Sequence, residues 1–290
     1  MTKYNKYTKC YLCSSSKLRD LFAKENFTIC KCLNCELVFV RDILNEDELN
    51  VFYSIDRDEG IKDPVYDDDF NTKNLLFYYK KMQHLIEKIV HKGRLLDIGC
   101  NSGQFLELMS KSSWEAFGIE RSPKPFRKAK KIFGDNIFFG ILKNYREKQK
   151  FDVITIMDVL DHCIDPVNDL KIAYRKLRKE GVLSVKVHNI DCLLAKVTGK
   201  DFYAFLPPYH LFYFSPKTLT IAMNKAGFEV ASVAFIGHWL TLKIIFYRLA
   251  KHNKQSIFFF LFKLFSVPLL NRISVYKQFY DIQTIIAVKK

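Results

Sequence analysis

Short apolar runs alternate with amphipathic stretches from residue 94 to the end of the chain. The runs have the length of strands buried in a sheet, whereas the stretches between them carry apolar residues at helical spacing. A regular alternation of this kind predicts a doubly wound, mostly parallel α/β sheet. The predicted strands are residues 94–97, 114–120, 137–139, 151–157, 181–187, 228–233 and 284–290.

Three of the predicted helices begin at a Ser-Pro or Asp-Pro pair. The pairs are Ser122-Pro123, Asp165-Pro166 and Ser215-Pro216. In each pair the first side chain would accept a backbone N–H as the N-cap, and proline suits the first helical position. The second helix is predicted to run to Lys179, and the third to end at Gly227.

Residues 46–92 are predicted to be a helical connector in front of the sheet. A short capped helix is predicted at residues 44–53, followed by an acidic loop at 56–69. Residues 73–91 then carry an apolar stripe at helical spacing, which would cover the first strand of the sheet. Gly93 would end this helix as its C′ residue.

Five of the eight cysteines lie within the first 35 residues. Two Cys-x2-Cys pairs converge there, and in a reducing compartment such pairs favour metal binding over disulfides. We therefore predict a structural zinc ribbon in residues 1–45, with Cys30 as a strand residue and ordinary thiols as the alternative. The predicted zinc ligands are Cys10, Cys13, Cys32 and Cys35.

The chain carries a formal net charge of +15, which is concentrated towards its C-terminus. Residues 190–290 contain 13 Lys and Arg against 4 Asp and Glu. A basic region of this kind suits nucleic acid, an anionic membrane surface or a phosphorylated substrate, and a solvated surface is the alternative. The first residues lack the apolar segment of a secretory signal. We expect a cytoplasmic protein, with the inner face of the membrane as a further location.

Residues 236–290 are predicted to form an apolar, basic insertion followed by the last strand. Residues 257–270 are strongly apolar, but Lys263 and Pro268 interrupt them and they are too few to span a bilayer. Two interpretations remain open. The segment covers the sheet or a second subunit, or it lies in a membrane interface and meets a lipid-linked sugar.

The stretch from Arg94 to Leu106 predicts a strand, a glycine turn and a helix. Gly99 and Gly103 would let a ligand approach the backbone, since they have no Cβ. Asn101 stands where the dinucleotide fingerprint has its second glycine, so the loop is not of that type. Glu120 ends the second strand, where a carboxylate can accept from two ribose hydroxyls; a surface charge is the alternative.

This loop resembles the D-x-G-x-x-x-G loop of class I S-adenosylmethionine-dependent methyltransferases. Residues 158–166 are similar to the V-L-E-H-x-x-D-P segment of that family, with Asp161 in place of the usual Glu. The resemblance implies a seven-stranded, Rossmann-like methyltransferase sheet over residues 93–235, closed by an antiparallel last strand. It also implies S-adenosylmethionine as cofactor. The residues that would bind it are Asp97, Gly99, Cys100, Gly103, Phe105, Glu120, Asp158, Val159 and His162.

A long aromatic loop, residues 189–215, follows the fifth predicted strand. Residues 207–216 resemble the P-P-E-H-L-x-Y-F-S-P stretch of zinc-ribbon methyltransferases from bacterial sugar and glycan biosynthesis. With the cysteine pairs and the core, this resemblance covers about residues 10–235. It implies a sugar substrate, carried on a nucleotide or a lipid, that binds at the carboxyl edge of the sheet.

His210 in this loop is the predicted general base, because imidazole titrates near neutrality. Tyr213 would orient the substrate or stabilise an oxyanion. Tyr209 stands where related C-methyltransferases have Glu, which leaves carbon, oxygen and nitrogen acceptors open. The alternatives are that His210 only hydrogen-bonds to the loop backbone and that His162 only packs locally.

The sequence suggests two alternative functions. The net charge, the cysteine pairs and the tripeptide Pro207-Pro208-Tyr209 suggest a nucleic-acid methyltransferase, but the tripeptide does not follow the fourth strand, where adenine-N6 enzymes carry theirs. The other alternative is a partner subunit that binds the cofactor without catalysis. The sequence leaves the oligomeric state open.

Overall fold

The N-terminal region is built from short antiparallel strands. The computed structural model of the chain describes residues 4–44, 48, 68–146, 148–250 and 255–290. In this region β1 pairs with β5, and β2, β3 and β4 form a second antiparallel sheet. The strands are β1 (Tyr4–Lys6), β2 (Leu18–Lys24), β3 (Phe27–Cys32), β4 (Val38–Val40) and β5 (Asp42–Leu44).

The helix in front of the sheet is α1 (Asp68–Glu87). It begins and ends earlier than the predicted 73–91, and Gly93 is therefore not its C′ residue. Gly93 instead lies against the side chain of Asp152, which leaves no room for a Cβ. The sequence predicts another helix from Leu44 onwards, but Leu44 is the last residue of β5. The rest of that predicted helix, apart from Glu48, lies outside the described residues, as does most of the predicted acidic loop.

A seven-stranded sheet forms the centre of the remaining chain. Its elements up to the sixth strand are β6 (Arg94–Ile98), α2 (Gln104–Ser110), β7 (Glu115–Glu120), α3 (Pro123–Phe133), β8 (Ile137–Phe139), β9 (Phe151–Met157), α4 (Pro166–Lys176), β10 (Leu177–His188), α5 (Leu193–Thr198), β11 (Phe212–Tyr213), α6 (Pro216–Lys225) and β12 (Phe228–Ala234). The last elements are β13 (His238–Thr241), α7 (Leu242–Ala250), α8 (Ile257–Leu264), β14 (Ser274–Lys277) and β15 (Ile282–Lys289).

The strand order of the sheet is β12-β15-β10-β9-β6-β7-β8. The five strands from β10 to β8 are parallel, and β15 lies antiparallel to both β10 and β12. Residues of β6 are buried throughout, as expected for a central parallel strand covered by helices on both faces. The order reverses between β6 and β9, where α/β sheets bind ligands beyond their carboxyl ends. The predicted α/β fold is confirmed.

Helix starts agree with the sequence more closely than helix ends. Asp165 caps α4 by accepting from Asn168, and Ser215 forms a capping box with Thr218. Ser122 makes no side-chain cap, although α3 begins at Pro123 as predicted. Helix α4 ends at Lys176 and not at Lys179, because the next residue, Leu177, is buried and begins β10 beside Phe151.

The predicted substrate loop contributes β11 to the N-terminal sheet. Strand β11 pairs antiparallel with β4, and the sheet order is β11-β4-β3-β2. Buried residues of the N-terminal region and of the large sheet form one continuous apolar cluster. The cysteine-bearing region is thus anchored to the loop that carries His210.

Candidate active site

The loop after β6 is held close to the neighbouring strand. The backbone N–H groups of Gly99 and Cys100 both donate to the carbonyl oxygen of Ile119, at 2.8 and 3.0 Å. Gly99 and Gly103 have φ values of +77° and +85°, a region in which glycine carries no steric cost. A Cβ on Gly99 would also collide with the side chain of Val159. The two glycines therefore allow a tight turn that side chains would block.

Asp97 lies beneath this turn with its carboxyl group buried. Its Oδ1 accepts a hydrogen bond of 2.6 Å from the Thr155 hydroxyl of the neighbouring strand. Burial raises the pKa of Asp97 to about 7; the Thr155 hydrogen bond opposes the shift and nearby Glu120 adds to it. A cationic ligand above the turn would favour the ionised form of this carboxyl group.

Glu120 ties together the loops that follow β6 and β7. Its Oε2 accepts from the backbone N–H of Asn101 at 2.9 Å, and its Oε1 accepts from that of Ser122 at 2.7 Å. The residue is only 7% exposed, so the alternative of a plain surface charge is wrong. A carboxylate oxygen has two lone pairs, and both oxygens therefore keep one for a further donor.

The loop after β9 supplies a third carboxylate. Asp158 has a φ of +56° and accepts from the Lys186 ammonium, which lies 4.5 Å from the Tyr78 ring centroid. The other predicted cofactor residues are packed into the floor. Phe105 is buried against Tyr79, with ring centroids 5.2 Å apart, and the Cys100 thiol would collide with a Cβ on Gly118.

These groups suit S-adenosylmethionine, which carries ammonium and sulfonium cations and a ribose diol. Asp97 and Glu120 lie near the carboxyl ends of β6 and β7, and Asp158 directly follows β9. These three strands are neighbours, so the three carboxyl groups lie at one edge of the sheet. The glycine turn presents backbone without side chains. The residues present therefore fit the cofactor.

Three histidines surround one buried carboxylate beside the predicted substrate loop. Asp161 Oδ2 lies 3.6 Å from His188 Nδ1 and 3.9 Å from His210 Nε2, and its Oδ1 lies 3.7 Å from His162 Nε2. Asp161 Oδ1 and His188 Nδ1 are buried and form no hydrogen bond. Burial alone would raise the pKa of Asp161, but the three imidazoles reverse the shift and lower it. The carboxylate is thus ionised at neutral pH.

The orientation of His210 is fixed by the loop itself. Its Nδ1 lies 2.6 Å from the carbonyl oxygen of Ala204, so this nitrogen carries the proton and Nε2 keeps a lone pair. Burial lowers the pKa of His210 to about 4, although Asp161 opposes the shift. His210 therefore does form a hydrogen bond to the loop backbone, as the alternative interpretation predicted. This hydrogen bond uses Nδ1 and leaves Nε2 available.

The two tyrosines of the predicted site have different surroundings. The Tyr213 hydroxyl is buried and donates to the carbonyl oxygen of His210 at 2.9 Å, and burial raises its pKa. Tyr209 is partly buried. His162 closes a 3-10 turn, and its ring packs edge-on against that of His210 with centroids 4.7 Å apart. The structure thus brings His162 to the histidine cluster.

No role for Asp161 or His188 was predicted from the sequence. His188 is the last residue of β10, directly after a run of buried residues. A polar residue at the carboxyl end of a buried parallel strand is the signal that would have found it, since ligands bind at that edge. Asp161 was noted only as a replacement for Glu.

Aromatic side chains of the loop pack around this cluster. Tyr203 lies edge-on to His188, with ring centroids 5.4 Å apart, and its hydroxyl donates to Asp281 Oδ2 at 2.7 Å. Phe205 packs against Tyr213 with centroids 4.7 Å apart. The acceptor side of the site is therefore apolar and aromatic.

The four predicted zinc ligands converge in the N-terminal region. The sulfur atoms of Cys10 and Cys35 are 3.5 Å apart, as are those of Cys13 and Cys32, and all four lie within 4.8 Å of one another. Tetrahedral ligands about 2.3 Å from zinc would be separated by similar distances. Cys30 lies outside this set, in β3, as predicted.

A family model described as a methyltransferase domain matches residues 73–233 of this chain. The chain belongs to that family. The carboxylates and the glycine turn described above lie within the matched residues.

Two curated relatives show the range of substrates among similar proteins. The methyltransferase is 30% identical over 131 residues to the ubiquinone biosynthesis O-methyltransferase of Actinobacillus pleuropneumoniae, covering 40% of this chain and 55% of that one. It is 31% identical over 158 residues to the tRNA U34 carboxymethyltransferase of Sulfurovum sp., covering 49% and 50%. The chain thus spans about half the length of these relatives.

Solved structures share the fold of this methyltransferase. Magnesium protoporphyrin IX methyltransferase from Synechocystis, solved with bound SAH, gives a TM-score of 0.52 at 13% identity, covering 85% of this chain and 100% of its own. A SAM-dependent methyltransferase from Archaeoglobus fulgidus gives 0.51 at 19% identity, covering 77% and 100%. Among the residues described, no helix of the methyltransferase is both long and apolar enough to pass through a bilayer.

Proposed function

We propose that this methyltransferase transfers a methyl group from S-adenosylmethionine to a hydroxyl group of a sugar, carried on a nucleotide or a lipid, in glycan or surface-polysaccharide biosynthesis. The observation that carries the proposal is the buried cluster of Asp161, His188 and His210 beside an aromatic loop at the carboxyl edge of the sheet. The cluster supports the proposal because it would supply a proton acceptor at the same carboxyl edge of the sheet as the glycine turn.

The proposed cofactor site uses the residues around that turn. Glu120 would accept from the ribose hydroxyls, and Asp97 and Asp158 would face the cationic part of the ligand. Gly99 and Gly103 would allow the backbone to approach it, with Cys100, Phe105 and Val159 packed beneath. When bound, the cofactor supplies an electrophilic methyl group on a sulfonium.

His210 is the proposed general base. Its Nε2 lone pair would take the proton from the acceptor hydroxyl, whose oxygen would receive the methyl group that the bound cofactor would supply, while the cofactor would keep the electron pair of its carbon–sulfur bond. Asp161, 3.9 Å from that nitrogen, would stabilise the imidazolium that forms. His188, closer to Asp161 and more exposed than His210, would share the same proton.

Positioning contributes most of the acceleration in a displacement of this kind, because attacking oxygen, methyl carbon and sulfur must lie in line. The Tyr213 hydroxyl holds the backbone of His210, so we assign it a positioning role in place of direct contact with an oxyanion. Tyr209 and Tyr203 would contact the sugar, since aromatic faces pack well against the apolar faces of sugar rings.

Two observations support an oxygen acceptor on a sugar. The P-P-Y-H-L-F-Y-F-S-P stretch resembles that of sugar and glycan methyltransferases but lacks their Glu, which disfavours deprotonation at carbon. A relative 30% identical over part of its length is named an O-methyltransferase. A second candidate substrate is RNA, which the net charge of +15 and the name of the tRNA-modifying relative favour.

The four clustered cysteines are proposed to hold one zinc ion with a structural role. Four thiolates fill a tetrahedral coordination shell and leave no position for substrate. Such an ion would join the turn before β2 to the turn after β3, and through β4 it would support β11 of the substrate loop.

The experiment that tests the proposal combines binding with a panel of acceptors. Purified protein is first titrated with S-adenosylmethionine by calorimetry, and turnover is then followed as release of S-adenosylhomocysteine. The panel holds sugar nucleotides, lipid-linked sugars, phenolic quinone precursors and transfer RNA, and mass spectrometry identifies which acceptor gains one methyl group.

Methylation of a sugar hydroxyl is the expected result. Methylation of a phenol or RNA alone would overturn the sugar assignment, and tight cofactor binding without turnover on any acceptor would favour the non-catalytic subunit. Metal analysis of the same sample is expected to give one zinc per chain. A second bound metal that is lost in His188→Ala would make His210 a ligand and end its assignment as base.

A further inference from the structure

The insertion between β12 and β15 exposes an unusually apolar surface. Its helices α7 and α8 and the turn after them present large apolar side chains to solvent, including Leu269, which is 87% exposed, and Phe260, which is 63% exposed. Monomeric proteins rarely expose neighbouring large apolar residues in this number. The other exposed members of this surface are Leu249, Ile257, Phe258, Leu264 and Val267.

This insertion packs mainly on itself. Leu240 and Ile244 are buried and contact Tyr247 and Phe262, which joins α7 to α8 in a small cluster separate from the main core. The link to the rest of the protein runs through Trp239, whose backbone exchanges two hydrogen bonds with the Asn74 side chain on α1. The outer face of α7 and α8 therefore does not cover the sheet in the way that the first interpretation of the sequence allowed, although that interpretation also included cover by a second subunit.

The same segment is purely basic. Residues 230–280 contain no Asp or Glu, and Glu229 and Asp281 are the acidic residues on either side. Lys263 lies within the apolar helix α8, with its ammonium 5.0 Å from the ring centroid of Phe259. The seven basic residues of the segment are Lys243, Arg248, Lys251, Lys254, Lys263, Arg272 and Lys277.

We propose that α7, α8 and the turn after α8 bind the surface of an anionic lipid bilayer, with the helices lying in the plane of the interface. Exposed apolar side chains together with basic ones are the combination that such an interface requires, because the former enter the acyl boundary and the latter meet lipid phosphates. Helix α8 is eight residues and about 12 Å long, far short of the roughly 30 Å of a hydrocarbon core, so it cannot cross.

A second copy of the chain fits this surface less well. In a two-fold dimer the same patch would meet itself, and the cations Lys243, Lys263 and Arg272 of the described residues would be brought together, with no acidic residue between positions 230 and 280. A nucleic acid would satisfy the charges but not the exposed Leu269 and Phe260. An anionic bilayer would accommodate both the basic side chains and the exposed apolar side chains. This proposal does not depend on which acceptor the enzyme methylates.

The test is binding of the full-length protein to lipid vesicles, measured by co-sedimentation. Wild type is expected to bind vesicles that contain one-third phosphatidylglycerol at least 10-fold more tightly than vesicles of phosphatidylcholine alone. The double variant Phe260→Asn, Leu269→Asn, which leaves the charge unchanged, and the double variant Lys263→Gln, Arg272→Gln should each weaken this binding 10-fold or more. Ile132→Asn is the matched control: it is also a 60% exposed apolar residue, but it lies on α3.

Folding is monitored in every variant by thermal melting and by S-adenosylhomocysteine affinity, which should not change. Two results would overturn the proposal. The first is that wild type does not bind anionic vesicles. The second is that the double variant Phe260→Asn, Leu269→Asn binds these vesicles as tightly as wild type does, because binding would then depend on charge alone. Sedimentation equilibrium of the lipid-free protein tests whether a second copy of the chain binds this surface. If wild type is a dimer and Phe260→Asn, Leu269→Asn is a monomer, the surface would be reassigned to self-association.

Discussion

Phe212 of the substrate loop pairs with Phe39 of the cysteine-bearing region across the antiparallel β11–β4 ladder, and their rings stack with centroids 6.4 Å apart. The neighbouring residue, Leu211, extends this link on both sides. Its carbonyl oxygen accepts from Val40 N–H, and its own N–H donates to the carbonyl oxygen of Asp161, both at 2.8 Å. Backbone hydrogen bonds and ring contacts therefore join three parts of the chain directly: the proposed zinc region, the loop that carries His210 and the segment after β9.

Cys35→Ser should impair methyl transfer although it lies far along the chain from the site. Loss of a zinc thiolate would loosen β4 and hence β11, which positions His210. We expect loss of bound zinc and at least a 10-fold fall in kcat, with cofactor affinity changed by less than a few-fold. Metal analysis and turnover measure these quantities.

Cys30→Ala is the matched control for that change, since Cys30 is buried in β3 but lies outside the four-cysteine set. It should keep its zinc. A Cys35→Ser protein that loses zinc yet turns over normally would show that the ion does not support the substrate loop.

His210→Ala should reduce kcat by about 100- to 10,000-fold, the usual contribution of a general base. Cofactor affinity should stay within a few-fold, because His210 faces the acceptor side. His188→Ala should reduce kcat less, since His210 would keep its partner Asp161. His84→Ala on α1, an exposed histidine, serves as control. Full activity of His210→Ala would remove this residue from the mechanism.

Glu120→Gln should weaken S-adenosylmethionine binding by about 10- to 100-fold. Charge-assisted hydrogen bonds contribute about 1.5–3 kcal/mol each, and Glu120 makes two to the loops that frame the proposed cofactor site. Calorimetry gives the affinity directly. Glu107→Gln, an exposed carboxylate on α2 that pairs only with Lys111 in the described contacts, should bind like wild type. Equal affinities in both variants would place the ribose elsewhere.

The affinity for S-adenosylmethionine should rise as the pH is raised from 6 to 8. Burial raises the pKa of Asp97 to about 7, so its carboxyl group becomes negative over this interval and attracts the cationic ligand. Without ligand, stability should fall as the pH rises towards 7, because the folded protein holds a proton that the unfolded chain has released. Asp97→Asn should bind with an affinity that varies little with pH. A pH-dependent affinity in that variant would assign the effect to another group.

Features that depend on local pattern could be predicted from the sequence. The strands of the large sheet, the glycine turn at Gly99 and Gly103, and the helix starts at Pro166 and Pro216 all follow from neighbouring residues. Helix ends were less well predicted, since Leu177 leaves α4 for a strand in order to be buried beside Phe151. The end of α4 is thus decided by contact with Phe151, 26 positions earlier in the chain, and a local sequence pattern does not record such a contact.

The sequence by itself determined the order of elements, the converging cysteine pairs and the acidic residues that end the strands, because periodicity and side-chain chemistry are local properties. Tertiary structure decided which distant residues meet. It brought His188 and His210 to Asp161, joined β11 to β4, and left the outer faces of α7 and α8 uncovered. The physical reason is that these contacts depend on how the strands are ordered across the sheet, and the three imidazoles that this arrangement brings to Asp161 lower the pKa of its buried carboxyl group.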